Sequence, residues 1–323
     1  MQSKTRLKYS LRYFYVLILA TAAVTGMLIY LYRSDSPLTM AGTPSATARA
    51  FAGGTFEASG VVDVAGTDAV LFVDDGKPGE IQWMRLDKDG NQSGPIKAIK
   101  LGVNIEDQEG ITTDGAYFYV VNSQSRSKAS DQSGIVRFKF NPDTQSVEAV
   151  ETVNRLKQFL VENVSELRDM ATVKAKDDGI NIEGLAWDPV QKRLLLGLRS
   201  PVKDGYALLV PLKLRDAAGP FSNENLETKE IKVIRLPLGG NGIRSIEYDE
   251  RSKLFNIIAG ATESQDKTDF KLWEWGGQED KSSLRESASF DRKLKPEGVT
   301  RATIGESNFK LIVFDTSMYT RID

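Results

Sequence analysis

Short apolar runs separated by polar turn segments recur along most of the chain. Five of these runs are almost continuous in apolar residues, which is typical of strands buried on both faces. They are AVLFV from Ala69, AYFYVV from Ala116, RLLLGL from Arg193, KLFNII from Lys253 and FKLIVF from Phe309. Amphipathic segments follow three of them: GIVRFKF from Gly134, YALLVPLKL from Tyr206 and FKLWEW from Phe270. The pattern predicts an all-β domain.

A Glu-Gly-aliphatic phrase, often followed by Asp, precedes the apolar runs and returns at intervals of about 50 to 75 residues. Clear copies are Glu109-Gly110-Ile111, Glu183-Gly184-Leu185 and Glu297-Gly298-Val299, and degenerate copies are Ser59-Gly60-Val61 and Arg244-Ser245-Ile246. A fourth, more polar strand closes several units, so that each unit has the four strands of a propeller blade. We therefore predict a β-propeller of five blades, with six as the alternative count. Two separate β-sandwiches would hold as many strands but would not explain the phrase.

Two further features complete the predicted propeller domain, which spans residues 50–323. The fifth unit ends at Asp323 after its third strand, so the stretch from Arg49 to Phe56 is expected to supply the missing outer strand and close the ring. An insertion near 153–168 has apolar residues at helical spacing, namely Val153, Leu156, Phe159, Leu160, Val164 and Leu167. We expect a helix to pack there.

The first strand of a propeller blade lies nearest the axis, so the phrase positions are expected to meet at the mouth of the central channel. These positions are Ser59, Glu109, Glu183, Arg244 and Glu297. Carboxylates around one axis repel one another and raise one another's pKa unless a cation intervenes. Three interpretations fit this arrangement: Arg244 pairs with two of the glutamates, a Ca²⁺ ion is held by the glutamates, or the glutamates act in acid/base catalysis. In the second case the metal ligands are Glu109, Glu183 and Glu297.

Loops that follow the second strands are expected to open on the same face as the channel mouth. They carry Asn122, Arg126, Arg199 and Lys203. Arginine offers paired donors that suit a phosphate or a carboxylate, so these residues, together with Arg244, are candidate ligand-binding positions. The simpler alternative is solvated loop charge, which is the commoner role of such residues.

The N-terminal region predicts a membrane anchor. Tyr13 to Tyr32 form twenty consecutive uncharged positions with aromatic residues at both ends, enough for an α-helix to cross the hydrocarbon core. The bases before this segment keep the N-terminus cytoplasmic by the positive-inside rule, which places the body on the periplasmic or extracellular side. A cleaved signal peptide is the alternative, but the apolar span is long for one and the small-residue sites near Ala48 lie far downstream. Residues 1–33 are then the basic start and anchor, and residues 34–49 a flexible linker.

Composition removes several classes of chemistry. The chain has no Cys and no His, so disulfides, thiolate nucleophiles, His-ligated metals and Ser-His-Asp triads are excluded. Once the five bases of residues 1–33 are set aside, 37 basic residues remain against 44 acidic ones. The predicted propeller is therefore net acidic, which argues against nucleic-acid binding.

Four stretches carry a family likeness: FEASGVV from Phe56, DQEGITTDG from Asp107, INIEGLAWDPVQKRLLLGLRSPV from Ile180 and GIRSIEYD from Gly242. Together they resemble the bacterial propeller family catalogued as domain of unknown function 3616. More distantly, they are similar to the esterase-like phytase propellers. The nearer resemblance implies a fold and no established activity, whereas the more distant one implies phosphoester hydrolysis with Ca²⁺.

One departure weakens the transfer of that hydrolytic chemistry. Where a Gly-Ser-His phrase is expected after the second strand of the second unit, the chain has Asn122-Ser123-Gln124-Ser125. We therefore expect a membrane-anchored propeller that binds a small molecule or a protein. A Ca²⁺-dependent hydrolase of phosphoesters or related small molecules is the alternative.

Overall fold

The strands form five separate antiparallel sheets of four strands each. The computed structural model describes residues 48–125, 133–265, 268–278 and 283–323. Within these residues the predicted five-bladed propeller is confirmed. The alternative of six blades is wrong, because all twenty described strands are used by the five sheets.

The chain builds the blades in order, each from the axis outwards. A two-residue strand, β1 (Arg49–Ala50), comes first. Blade 1 contains β2 (Ala58–Asp63), β3 (Ala69–Asp74), β4 (Glu80–Arg85) and β5 (Lys97–Lys100). Blade 2 contains β6 (Gln108–Thr113), β7 (Phe118–Asn122), β8 (Ser133–Asn141) and β9 (Ser146–Asn154). Blade 3 contains β10 (Asn181–Asp188), β11 (Arg193–Ser200), β12 (Ala207–Leu212) and β13 (Ile234–Leu236).

The last two blades follow the same plan. Blade 4 contains β14 (Gly242–Asp249), β15 (Leu254–Gly260), β16 (Phe270–Trp275) and β17 (Arg285–Phe290). Blade 5 contains β18 (Pro296–Ile304), β19 (Ser307–Phe314) and β20 (Met318–Ile322). The first strands of neighbouring blades contact one another all the way round the ring. Strands β2, β6, β10, β14 and β18 therefore line the axis.

Strand β1 completes blade 5 from the other end of the domain. Arg49 pairs with Tyr319 and Ala50 with Met318, so that β1 is the outer strand next to β20. The predicted closure of the ring is thus confirmed, although only two residues of the expected stretch are strand. Phe51 extends the closure, because its backbone N donates to the carbonyl of Ser317 at 3.2 Å.

Burial on both faces explains why the second strands are continuously apolar. Every residue of β3 is buried. Val70 and Phe72 pack with residues of blade 5, whereas Leu71 and Val73 pack with residues of blade 2. Since side chains alternate along a strand, a blade with a neighbour on each face needs apolar residues at both sets of positions.

Glycines in the first strands let neighbouring blades approach at backbone distance. A Cβ atom on Gly110 would lie 2.8 Å from the Cβ of Leu185 and 3.0 Å from the backbone N of Leu185. A Cβ on Gly60 would lie 2.9 Å from the Cα of Gly110. Neither glycine has a positive φ. Packing between blades, and not an unusual backbone angle, therefore requires glycine in these two copies of the phrase.

The substitution Gly110→Ala is expected to lower the free energy of unfolding by about 1–3 kcal/mol, because the added methyl overpacks the junction between blades 2 and 3. Urea denaturation measures the change. The matched control is Gly54→Ala, whose Cβ would meet only the side chain of Phe56, at 3.3 Å, on an exposed segment. Equal stability of the two variants would contradict the packing role.

A helical insertion separates blades 2 and 3. Helix α1 spans Leu156–Asn163, and a 3-10 helix follows at Ser165–Met170. Leu156 and Leu160 of α1 are fully buried and share a cluster with residues of both blades. Shorter 3-10 helices lie at Ala175–Asp177 and Asn223–Asn225.

The predicted anchor at 13–32 and nearly all of the predicted linker lie outside the described residues. In the part of the chain that is described, no helix combines the length and the apolar character that a membrane crossing needs.

Candidate functional site

The phrase position of every blade is a bulge in the pairing of the first two strands. In blade 2 the register passes from Gln108 opposite Asn122 to Gly110 opposite Val121, so Glu109 has no partner in β7. The same shift falls at Ser59, Glu183, Arg244 and Glu297. A bulge re-aims the extra side chain. All five side chains line one central cavity, so the structure brings together the ring that the repeat predicts.

Two sectors of opposite charge line this cavity, whose volume is about 340 Å³. The acidic sector belongs to blades 1 and 2 and contains Asp75 and Glu109. The basic sector belongs to blades 3 to 5, where four bases, Arg199, Arg244, Arg292 and Lys295, face three carboxylates, Glu183, Glu297 and Asp315. By formal charge the cavity is therefore acidic on one side and has a small excess of positive charge on the other.

Arg244 pairs with two of the three ring glutamates. Its Nε lies 2.9 Å from Oε2 of Glu183, and its Nη2 donates to Oε1 of Glu297. The three side chains are at most 8% exposed. Burial disfavours the charged guanidinium, but Glu183 and Glu297 outweigh this cost and hold the pKa of Arg244 above its ordinary value. The first of the three interpretations, an Arg244 pairing with two glutamates, thus describes the geometry of blades 3 to 5.

Arg199 extends the ion-pair network from Glu183 to Glu263. Its Nη1 lies 2.9 Å from Oε1 of Glu183 and 2.7 Å from Oε1 of Glu263. Its Nε donates to the carbonyl of Ala261 at 3.2 Å. Asn181 adds a donor to the same Glu183 oxygen at 3.1 Å. Most donors of Arg199 are therefore engaged within the protein, and the residue positions Glu183.

Glu109 belongs to a different group, made of three carboxylates. Asp75, Asp107 and Glu109 each offer one oxygen, and these oxygens lie within 4.8 Å of one another. Burial, and then the charges of Glu183, Glu297, Asp107 and Asp75, hold the pKa of Glu109 well above its usual range. By its solvent exposure Glu109 is half-buried, and it lines the central cavity.

The turn after β7 orients Asp107. Asp107 has a left-handed backbone with φ of 57°. Its Oδ2 accepts hydrogen bonds from Oγ of Ser125 at 2.9 Å and from Oγ of Ser123, and its carbonyl accepts one from the backbone N of Ser123 at 3.0 Å. These serines lie where a Gly-Ser-His phrase was expected. In this chain the segment therefore holds a carboxylate of the acidic group.

Two further candidate binding residues, Asn122 and Lys203, do not line the cavity. Asn122 is buried at the end of β7, where its Oδ1 accepts a hydrogen bond from Nε2 of Gln124. Lys203 lies in a turn closed by two backbone hydrogen bonds with Tyr206, of 3.0 and 2.8 Å. Arg126 lies outside the described residues.

Sequence reasoning missed Asp107, Arg292 and Lys295 as site residues. Asp107 comes two positions before Glu109, and both basic residues come within five positions of Glu297. The signal was therefore present as charge immediately upstream of two copies of the repeated phrase. Arg292 and Lys295 are exposed, and Nζ of Lys295 lies 2.6 Å from Oδ2 of Asp315.

Two further acidic residues, Asp63 and Glu247, lie further along the first strands of blades 1 and 4. Thr300 joins them, because its Oγ1 donates to Glu247 at 3.0 Å and accepts from the backbone N of Asp63 at 3.1 Å. Burial raises the pKa of Asp63 to about 7, with a smaller contribution from Glu247. Burial also raises the pKa of Glu247, which accepts hydrogen bonds from the backbone N of Arg301 and from Asn256.

Solved structures resemble the domain in architecture. The pyranose dehydrogenase PQQ domain from Coprinopsis cinerea has 11% identity and a TM-score of 0.47, over 87% of this chain and 98% of that one. A glucose dehydrogenase has 10% identity and a TM-score of 0.43, over 86% and 99%. A streptogramin B lyase has 9% identity and a TM-score of 0.39, over 85% and 96%.

Comparison of the sequence with known proteins identifies one family. No curated protein matches the chain. The family described as protein of unknown function (DUF3616) matches residues 139–322, which are more than half of the chain. The matched region contains the ring positions Glu183, Arg244 and Glu297, and the resemblance expected from the sequence is confirmed. The chain belongs to the DUF3616 family.

Proposed function

We propose that the protein is a binding module, displayed outside the cytoplasm by an N-terminal membrane anchor, whose central cavity holds a Ca²⁺ ion. The observation that carries the metal site is the group of oxygens from Asp75, Asp107 and Glu109, which lie within 4.8 Å of one another. Oxygens that share one Ca²⁺ at 2.3–2.6 Å lie at most about 5 Å apart. Water in the cavity would complete the coordination shell.

The electrostatics of Glu109 support the same site. Its pKa is raised by burial and by four neighbouring carboxylates, so the ionised form is disfavoured in the absence of a cation. A divalent cation would reverse this balance. Glu183 and Glu297 already pair with Arg244. The proposed ligands therefore retain Glu109 from the set that the sequence suggested and replace the other two glutamates with Asp75 and Asp107.

Thermal unfolding of the full-length protein in detergent, with Ca²⁺ or with a chelator, tests the site. At a Ca²⁺ concentration of 100 times the Kd, binding to the native state should raise the free energy of unfolding by about 2.7 kcal/mol. Glu109→Gln should abolish this gain. Glu306→Gln, at an exposed position in the turn between β18 and β19, should keep it. A wild-type melt that Ca²⁺ does not move, or a gain that Glu109→Gln retains, contradicts the proposal.

The Ca²⁺ effect should also depend on pH. A proton competes with the cation for Glu109, whose pKa lies well above its usual range. The stabilisation by Ca²⁺ should therefore fade as the pH falls, and it should fade at a higher pH than it would with an unperturbed glutamate ligand. An equal Ca²⁺ effect at about pH 8 and about pH 5 would count against Glu109 as a ligand.

A Ca²⁺-dependent phosphoester hydrolase is the second candidate. The basic sector favours it, because Arg292 is exposed on the same cavity and could contact an anion bound to the ion. Ca²⁺-dependent turnover of p-nitrophenyl phosphate that Glu109→Gln abolishes would decide for the hydrolase. Binding of this ester without turnover would decide for the binding module.

A further inference from the structure

A second cavity, of about 550 Å³, lies between blades 2 and 3. Its walls are the turn between β6 and β7, the turn between β10 and β11, and the segment after β12. The ring residues lie near the start of the first strands, so turns at the far end of those strands lie on the opposite face. The two cavities share no lining residue. The second cavity is therefore independent of the proposed Ca²⁺ site.

Aromatic rings form much of the lining of this second cavity. The rings of Tyr119 and Trp187 are parallel within 2°, with centroids 6.3 Å apart. Phe221 meets Tyr119 edge to face at 5.5 Å, and Tyr117 lies beside them. Leucines from β11 and from the segment after β12 add apolar surface. An apolar or aromatic molecular body would be well accommodated by these surfaces.

Asp114 is the acidic residue of the lining, and both of its carboxylate oxygens accept hydrogen bonds from within the protein. Oδ2 of Asp114 accepts the hydroxyl of Tyr119 at 2.7 Å, and its Oδ1 accepts the backbone N–H groups of Ala116 and Tyr117 at 2.8 and 2.7 Å. This carboxylate closes the turn between β6 and β7. It is therefore poorly placed to bind a ligand cation.

Two lysines give the cavity a basic rim. Lys192 and Lys213 are exposed lining residues, and neither has an ion pair with another described residue. The arginines of the lining are paired, Arg193 with Asp188 and Arg137 with Glu151. Arg137 also lies over the rings of Tyr117 and Phe221, at 4.5 and 5.1 Å. The charge available to a ligand is therefore positive.

We propose that this second cavity binds a small organic anion with an aromatic or aliphatic body. The body would lie against Trp187 and Phe221, and the anionic group would face Lys192 and Lys213. The volume falls within the roughly 300–1,000 Å³ typical of small-molecule sites. Val190, which is 77% exposed, adds an apolar side chain to the lining.

Calorimetric titration of the full-length protein with 2-naphthoate tests this site. We expect saturable binding with a negative heat-capacity change, because apolar surface is buried. The double variant Lys192→Gln/Lys213→Gln should weaken binding roughly tenfold through loss of charge-assisted contacts. Val190→Glu should also weaken binding, because it brings a negative charge to the lining of the cavity. Both variants change exposed residues and should leave the fold intact.

The matched control is Lys88→Gln/Lys253→Gln, which removes two lysines that are 79% and 66% exposed and do not line the cavity. This variant should bind 2-naphthoate as the wild type does, and 2-naphthylmethylammonium should bind at least about tenfold more weakly than 2-naphthoate. Absence of 2-naphthoate binding, equal affinity for the ammonium analogue, or equal effects of the two lysine pairs would each overturn the proposal.

Discussion

Replacing Arg244 with methionine is expected to lower the free energy of unfolding by about 3–5 kcal/mol, because two buried glutamates lose their cation. The guanidinium Nε lies 2.9 Å from Glu183, and Nη2 donates to Glu297. Methionine keeps an apolar side chain of similar length, so the loss is chiefly electrostatic. Urea unfolding followed by tryptophan fluorescence measures it.

Two controls separate this electrostatic cost from lost packing. Adding Glu183→Gln and Glu297→Gln to Arg244→Met should restore most of the stability, because a buried ion pair can be replaced by neutral groups at little cost.

Burial raises the pKa of Glu297 to about 7 even though Arg244 opposes the rise. Loss of Arg244 raises the pKa of Glu297 further, so the difference in stability between Arg244→Met and the wild type should grow as the pH rises through about 7 and beyond, where the wild-type carboxyl ionises beside its cation and the variant's does not. A loss that is independent of pH would point to packing instead.

Phe51→Ala is expected to cost about 3–5 kcal/mol of unfolding free energy, because it removes a ring that joins blade 1 to blade 5. Phe51 is 6% exposed. Its ring stacks on Phe72 of β3 at 5.3 Å and on Tyr319 of β20 at 5.2 Å, and it meets Phe56 edge to face at 5.5 Å. Truncation to alanine leaves a void at the junction where the ring of blades closes.

Urea denaturation compares this variant with two others. Phe51→Leu keeps most of the apolar volume and should cost less than Phe51→Ala. Val190→Ala, at a position 77% exposed, should stay within about 0.5 kcal/mol of the wild type. If Phe51→Ala proves as mild as Val190→Ala, the aromatic cluster does not support the closure.

The blades could be predicted from the sequence because each blade is a local pattern repeated. The five apolar runs are the second strands, and the phrase marks the first strands because a glycine is needed where blades approach, as at Gly110. The fourth strands were harder to predict. The stretch KEIKVIRLP from Lys229 is an example of a predicted fourth strand, but only Ile234–Leu236 is strand. That strand ends before Pro237, which has no N–H to continue a ladder.

The pairing within the ring follows from the order of the blades around the axis. Arg244 belongs to blade 4, so its neighbours around the axis are the phrase positions of blades 3 and 5, which are Glu183 and Glu297. Glu109 of blade 2 is two blades away from Arg244 and so falls into the acidic group. The position of Asp107 could not be deduced, because it depends on the left-handed backbone of that residue and on two serine hydroxyls.

The second cavity illustrates a different limit of sequence reasoning. Tyr117 and Tyr119 belong to an apolar run that predicts a buried strand, and Trp187 lies in a first strand. Their contribution to a cavity arises from the gap between blades 2 and 3 and from the long segment after β12. Strand patterns contain no information about such a gap between neighbouring sheets.

The pairing of β1 with β20 also sets the order in which the domain can be completed during synthesis. Arg49 and Ala50 leave the ribosome before almost all of the propeller, and their partners Tyr319 and Met318 leave it nearly last. Such a long separation makes the closing contact slow to form and costly in loop entropy. Strand β1 must therefore wait for nearly the whole polypeptide, and a chain that stopped short of residue 318 would leave β1 without a partner.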